Sequence, residues 1–229
     1  MDKRKTAKNK VDTTLIKIVN IPTGHAVIQV NKDGENAIII HGGANQTFND
    51  LEIGNILKSC EAGDFLLLQN EINGVDKILQ KTKNKDLTVV FNPAPITDEI
   101  KNYPLELVDI FILNEVEGEA LTNQNDPELI LSVMQKLYPK SRTILTLGKD
   151  GVIYAHNKKQ IKLPALKVKA IDTTGAGDTF IGYFLAQLSQ GSEIEKSIEM
   201  GIKASALCVT RKGAANSIPK LNEIERELK

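Results

Sequence analysis

The 229-residue chain has few of the side chains that build metal or disulfide sites. It holds two cysteines, Cys60 and Cys208, and three histidines, His25, His41 and His156. The cysteines lie far apart, each inside an apolar helical pattern, which favours reduced core thiols over a cross-link. The histidines show no ligand-like spacing, so no zinc site is expected. No apolar run approaches the length of a membrane-crossing helix. The basic opening MDKRKTAKNK lacks the apolar stretch of a signal peptide. The expected setting is therefore cytoplasmic, without a membrane partner. Net charge is missing too. The 29 basic residues balance 29 acidic ones, and the footprint of a nucleic-acid binder is absent. Internal repeats, low-complexity tracts and an interdomain linker are not found. The length suits one large α/β domain or two small ones. It is read as a single domain over 1–229, with an excursion over 20–48.

What is present is an alternation of strand and helix patterns. Residues 15–19 (LIKIV) read as a strand. Ala26, Ile28 and Val30 alternate with polar neighbours, Asn31-Lys32-Asp33-Gly34 has turn chemistry, and 37–40 reads as the return strand of a hairpin. Gly42-Gly43-Ala44-Asn45-Gln46 reads as the loop leaving that hairpin. Helices are predicted over 50–60, 72–83, 126–138 and 194–209. Strands are predicted over 64–69, 87–91, 109–113, 142–147 and 152–155. The unbroken apolar run in 64–69 fits a parallel strand covered on both faces. Helices alternating with strands at this spacing imply a right-handed βαβ sheet, with ligands beyond the C-terminal strand ends. Those ends carry 69–71, Asn92-Pro93-Ala94-Pro95, 114–117 and 146–151.

The chain is organised around Ile171-Asp172-Thr173-Thr174-Gly175-Ala176-Gly177-Asp178-Thr179-Phe180. Phe180, Ile181, Phe184, Leu185 and Leu188 then recur at helical spacing, so a glycine turn opens directly into a helix. Such a helix start offers unpaired N–H groups and a positive dipole end, an anion site. Asp178 falls in the first turn, beside the anion, where a carboxylate suits a general base for an incoming hydroxyl. The alternative is a plain turn with an acidic first-turn residue. Asn114 and Glu117, three apart after a strand, suit a hydrated magnesium ion near phosphates, or simply an N-cap with first-turn acids.

The string DTTGAGDTF, with NPAP, NEVE, TLGKDG and TRKGA in order around it, resembles the ribokinase-like (PfkB) carbohydrate kinases. The resemblance runs from about residue 11 to 228. It implies a three-layer α/β sandwich with a central, mostly parallel sheet and a small β lid. The first strand and the Gly-Gly signature of that fold are not found upstream of Gly42, so a shortened form with an exposed sheet edge is expected. The resemblance makes Asp178 the catalytic base and Gly175, Ala176 and Gly177 the anion hole. It puts Asn114, Thr146, Leu147, Gly148, Lys149, Asp150, Gly151 and Gly177 at ATP. Ile202 stands at the nucleotide where family members often carry Asn or His. Glu71, with Asp178, is assigned to the sugar. Glu117 is assigned to magnesium. Asp172, Thr174, Cys208, Arg211, Gly213 and Ser217 are assigned to a potassium ion, mostly through backbone carbonyls. The implied activity is ATP-dependent phosphorylation of a small sugar, ribose first, by a homodimer joined through the lid. Two alternatives stay open: a kinase for another sugar or nucleoside, and an impaired homologue that keeps nucleotide binding.

Overall fold

The computed structural model describes residues 9–30 and 36–227. The opening stretch 1–8 and the expected hairpin turn over 31–34 lie outside these residues. Two compact units emerge: 1–89 with 93–107, and 90–92 with 108–229.

In the first unit, Thr23–Val30 (β1) and Asn36–Gly43 (β2) pair antiparallel, with His25 opposite His41 and Val27 opposite Ile39. The Gly42–Gln46 loop follows β2 as expected. Its Ala44 N–H bonds Pro22 O at 2.8 Å, which closes the hairpin base. Residues 15–19 are not a strand. Strand pattern alone does not supply the ladder that backbone N–H and C=O groups need. No strand pairs with this segment among the described residues, and Ile18 is 82% exposed. Asp50–Lys58 (α1) starts on a reciprocal cap. Asn49 accepts from the N–H groups of Leu51 and Glu52, and the Glu52 carboxylate accepts from Asn49 N–H. Phe65–Gln69 (β3) and Val75–Thr82 (α2) follow; Val75, Ile78 and Leu79 form the buried face of α2. The sequence pattern suggests that β3 is covered on both faces, yet Leu67 is 42% exposed while Leu68 is buried. The reason is position: β3 is the first strand in the sheet order.

The sheet order continues with Thr88–Asn92 (β4), Ile110–Asn114 (β5), Arg142–Thr146 (β6), Val152–His156 (β7) and Lys159–Leu163 (β8). The β4–β5 and β5–β6 pairs are parallel, whereas β7 and β8 add antiparallel. The sheet is thus mixed. Strand β8 escapes sequence reading because its KQIKL run has little apolar content and sits at an edge, largely solvated. Within the second unit, Phe111, Ile112, Leu113, Ile144 and Leu145 are buried. Glu115–Thr122 (α3) and Pro127–Leu137 (α4) cover them, with Ile130, Leu131 and Met134 fully inside. Each such side chain contributes about 1.5–3 kcal/mol on leaving water. Ala176–Ser189 (α5), Ile194–Cys208 (α6) and Leu221–Glu227 (α7) complete the unit. Phe180 and Phe184 stack on α5 at 5.9 Å. Ala204 and Leu207 of α6 pack with Ile224 of α7.

Candidate functional site

The glycine turn is fastened before its helix begins. The N–H groups of Ile171 and Asp172 both donate to Val209 O, at 2.7 and 3.2 Å, just past the end of α6. Gly175 then sits at φ 75° and ψ 7° as the N-cap of α5. Any residue with a Cβ pays about 1–2 kcal/mol in this left-handed region. A Cβ on Gly175 would point at the Ala214 Cα at 3.5 Å. No side chain caps α5. The Ala176 N–H turns back to Thr173 O at 3.2 Å, and the helix start presents its positive dipole end at the turn. Asp178, in the first turn, is exposed beside it.

Asp172 is the hub of the turn. Its Oδ2 accepts the Gly213 N–H at 2.9 Å and its Oδ1 the Thr174 N–H at 2.9 Å. These bonds, Gly213 first, lower its carboxyl from the ordinary 3.8 to about 2, with Lys212 adding a smaller electrostatic pull. Asp172 is thus charged throughout the physiological range. Past α6, Ser217 is fully buried, donates to Ala214 O at 2.6 Å and meets Cys208 Sγ at 3.1 Å. The Arg211 guanidinium turns away to pair with Glu223 of α7 at 2.8 Å. Asp172, Thr174 and Gly213 are therefore joined directly, as are Cys208 and Ser217. The donor chemistry of this group is one fixed carboxylate, the Thr174 and Ser217 hydroxyls and a run of carbonyls, with the Cys208 thiol already engaged by Ser217. Such oxygen donors fit a hard cation rather than a soft transition metal. Among the described residues, no cluster of three or more His, Cys, Asp or Glu forms a metal site.

A second polar group stands where β4 and β5 end. Asn114 caps α3, its Oδ1 accepting the Glu117 N–H at 2.8 Å. In return, Glu117 Oε2 accepts the Asn114 N–H at 2.9 Å, and Oε1 accepts Asn114 Nδ2 at 2.9 Å. Asn92 Nδ2 donates to the same Glu117 Oε2 at 3.1 Å and to Ile112 O at 2.9 Å. Glu117 is 5% exposed. Burial pushes its carboxyl up, against the lowering by the Asn114 N–H and the Asn92 amide. A cation close by would offset that burial cost, so the group fits a magnesium partner. The capping reading and the ligand reading of NEVE are thus compatible. Sequence reading places Asn92 among the strand-end candidates through NPAP, but not its amide on Glu117.

Asn114 lies opposite Thr146 in the β5–β6 register, and Thr146 Oγ1 donates to Leu113 O at 3.1 Å. After Thr146 the chain makes one tight turn: Leu147 N–H meets Gly151 O at 2.8 Å, and Asp150 N–H meets Leu147 O at 2.9 Å. Gly148, Lys149 and Asp150 are exposed, while Leu147 is buried. Gly151 has φ 104°, and a Cβ there would stand 2.1 Å from Leu163 O. Ile202 is buried on α6.

In the first unit, Glu71 is exposed, and its carbonyl accepts Gln46 Nε2 at 3.2 Å. A cleft of about 470 Å³ opens beside it, lined by Asn70, Ile72, Gly74, Asp76, Thr97 and Tyr103 among others. Asn70 is the organiser: it accepts the Tyr103 hydroxyl at 3.0 Å and donates to Pro95 O at 2.9 Å. Tyr103 carries no motif signal in the sequence.

Residues 3–221 match the sequence profile of the pfkB family carbohydrate kinase group. Ribokinase of Staphylococcus aureus (strain COL) is 37% identical over 224 residues, covering 94% of this chain and 73% of that protein. The crystal structure of ribokinase from Cryptococcus neoformans var. grubii serotype A in complex with ADP matches 99% of this chain and 78% of that one, at TM-score 0.85 and 31% identity. Ribokinase of Arabidopsis thaliana complexed with ribose and ATP matches 90% and 69%, at TM-score 0.79 and 30% identity. The profile spans nearly all of the sequence: this chain belongs to the pfkB family of carbohydrate kinases.

Proposed function

We propose that the chain is an ATP-dependent kinase that phosphorylates ribose to ribose 5-phosphate. The observation that carries this reading is the uncapped start of α5, with Asp178 exposed in its first turn behind the left-handed Gly175. The likeness to ribokinases, one of them holding ribose and ATP, supports the choice of substrates.

The Asp178 carboxylate takes the proton of the attacking sugar hydroxyl. The N–H groups around Gly175 and Gly177 hold the phosphoryl group in flight, where preoriented donors act most strongly, while Ala176, its N–H turned back to Thr173 O, completes the turn. The 146–151 turn and Ile202 line the nucleotide, with Asn114 toward its phosphates, and Glu71 meets the sugar. Asn114 and Glu117 would hold magnesium, which would offset phosphate charge. Potassium would be held by Asp172, Thr174, Cys208, Arg211, Gly213 and Ser217. The hairpin serves as lid and dimer contact; Val27 and Ile39 pair across it and are both exposed, which supports that role. A cytoplasmic setting suits its metabolite substrates.

The test is ribose-dependent ADP release by the wild type and by Asp178→Asn. The variant should lose about 10²–10⁴-fold in kcat while its thermal unfolding stays near the wild type. Equal turnover by both proteins would overturn the assignment of the base.

A further inference from the structure

Next to Asp178 begins a line of buried side chains whose hydrogen bonds to one another the phosphoryl-transfer reading does not use. Thr179 Oγ1 donates to Cys208 Sγ at 3.4 Å. Cys208 Sγ lies 3.1 Å from Ser217 Oγ, and Ser217 Oγ donates to Ala214 O at 2.6 Å. Thr179 is 2% exposed, and Cys208 and Ser217 are 0% exposed, so water does not compete for these groups. Ser217 owns one hydroxyl proton, and the short bond to Ala214 O uses it. The hydrogen between Cys208 and Ser217 is then the thiol's. Every bond acquires a direction: Thr179 to Cys208, Cys208 to Ser217, Ser217 to Ala214.

This line closes a ring. Ala214 faces Gly175, where a Cβ would stand 3.5 Å from its Cα. Gly213, one residue earlier, donates to Asp172. The glycine turn, the loop after α6 and the first turn of α5 are thereby tied into one unit, with Cys208 as the joint between two helices. We propose that the Thr179–Cys208–Ser217 line positions the start of α5 against the 213–217 loop, and that the Cys208 thiol is a positioning residue for phosphoryl transfer. The inference rests on the kinase reading of Asp178. It concerns the Cys208 side chain, not the backbone carbonyl assigned to a cation. Cys208→Ala leaves Ser217 Oγ without its donor and removes the acceptor of Thr179. Cys208→Ser supplies both again from the same place.

The experiment compares the wild type, Cys208→Ala, Cys208→Ser and Thr179→Val in two arms: steady-state kinetics with ribose and ATP, and amide hydrogen exchange over 172–179 and 211–217. Cys208→Ala should lower kcat about tenfold, the equivalent of one buried hydrogen bond, with KM for ribose within about twofold. Cys208→Ser should recover most of that loss, and Thr179→Val should repeat part of it. Exchange over 211–217 should quicken in Cys208→Ala alone among the Cys208 variants. Wild-type kcat in Cys208→Ala, or Cys208→Ser no better than Cys208→Ala, would overturn the proposal. If the wild type releases no ADP with ribose, the kinase reading has failed. The exchange arm then decides the positioning line by itself: unchanged exchange over 211–217 in Cys208→Ala overturns it.

Discussion

Asn114→Ala is a demanding perturbation, because one side chain serves two partners on the same buried acid. The substitution removes the acceptor for the Glu117 N–H, 2.8 Å away, and the donor to Glu117 Oε1, 2.9 Å away. Loss of an Asn cap costs about 1 kcal/mol. Loss of a hydrogen bond to a charged group costs about 1.5–3 kcal/mol. Asn114 itself is exposed, which favours the low end of that range, so the expected total is about 2–3 kcal/mol. The backbone N–H of Asn114 and the Asn92 amide still hold Oε2. Asn114→Ser keeps an oxygen for the cap and should lose only about half as much. The assay is urea unfolding followed by circular dichroism, at pH 7 and at pH 4. Burial already raises the Glu117 carboxyl above the ordinary 4.5. The folded state therefore binds more protons than the unfolded one between 4.5 and the raised value, and stability falls as pH rises through that window. Without Asn114 Nδ2 the carboxyl moves higher still. The deficit of Asn114→Ala should be larger at pH 7 than at pH 4, where the cap loss dominates. A loss below about 0.5 kcal/mol, or Asn114→Ser matching Asn114→Ala, would refute the reasoning.

Asp172 has the opposite sign. Its folded carboxyl lies at about 2 against an ordinary 3.8, so its contribution is complete above 3.8 and is lost as pH falls toward about 2. Asp172→Asn should lack that part of the acid limb and converge with the wild type near pH 2; parallel acid-unfolding curves would contradict the assignment. Gly151→Ala places a Cβ 2.1 Å from Leu163 O at φ 104°. It should cost about 3 kcal/mol or more in thermal unfolding, and a tolerated substitution would show that the 146–151 turn can shift.

The order of elements was legible because apolar periodicity is local: strands β3 to β7 and helices α1, α2, α4, α5 and α6 fall within a few residues of their expected places, whereas the short α7 was not expected. The glycine turn was legible for a related reason. Gly175 must supply a left-handed cap, and an acid three residues later must stand in the first turn, so the chemistry is written in adjacent residues. The same locality explains the Asn114 cap, since its partner Glu117 is one helical turn away.

Other features depend on neighbours that lie far along the chain. LIKIV at 15–19 has strand character, but without a paired ladder it remains irregular, its Ile16 N–H turned back to Thr13 O and Ile18 exposed. β3 carries an apolar run that suggests double coverage, yet its place at the sheet margin leaves Leu67 in solvent. β8 is recruited by β7 despite its polar run. Glu117 reads as a first-turn acid; only the fold brings Asn92, from another strand, to its carboxylate and raises its pKa by burial. Cys208 reads as a reduced core thiol and, by family resemblance, a cation ligand; tertiary packing alone sets its side chain between Thr179 and Ser217. The sequence by itself determined which residues carry charge, cap a helix or turn the chain, because those properties act over a few residues. The tertiary structure decided which of them share a hydrogen bond and which are dry, because both depend on contacts between segments that the chain order leaves far apart.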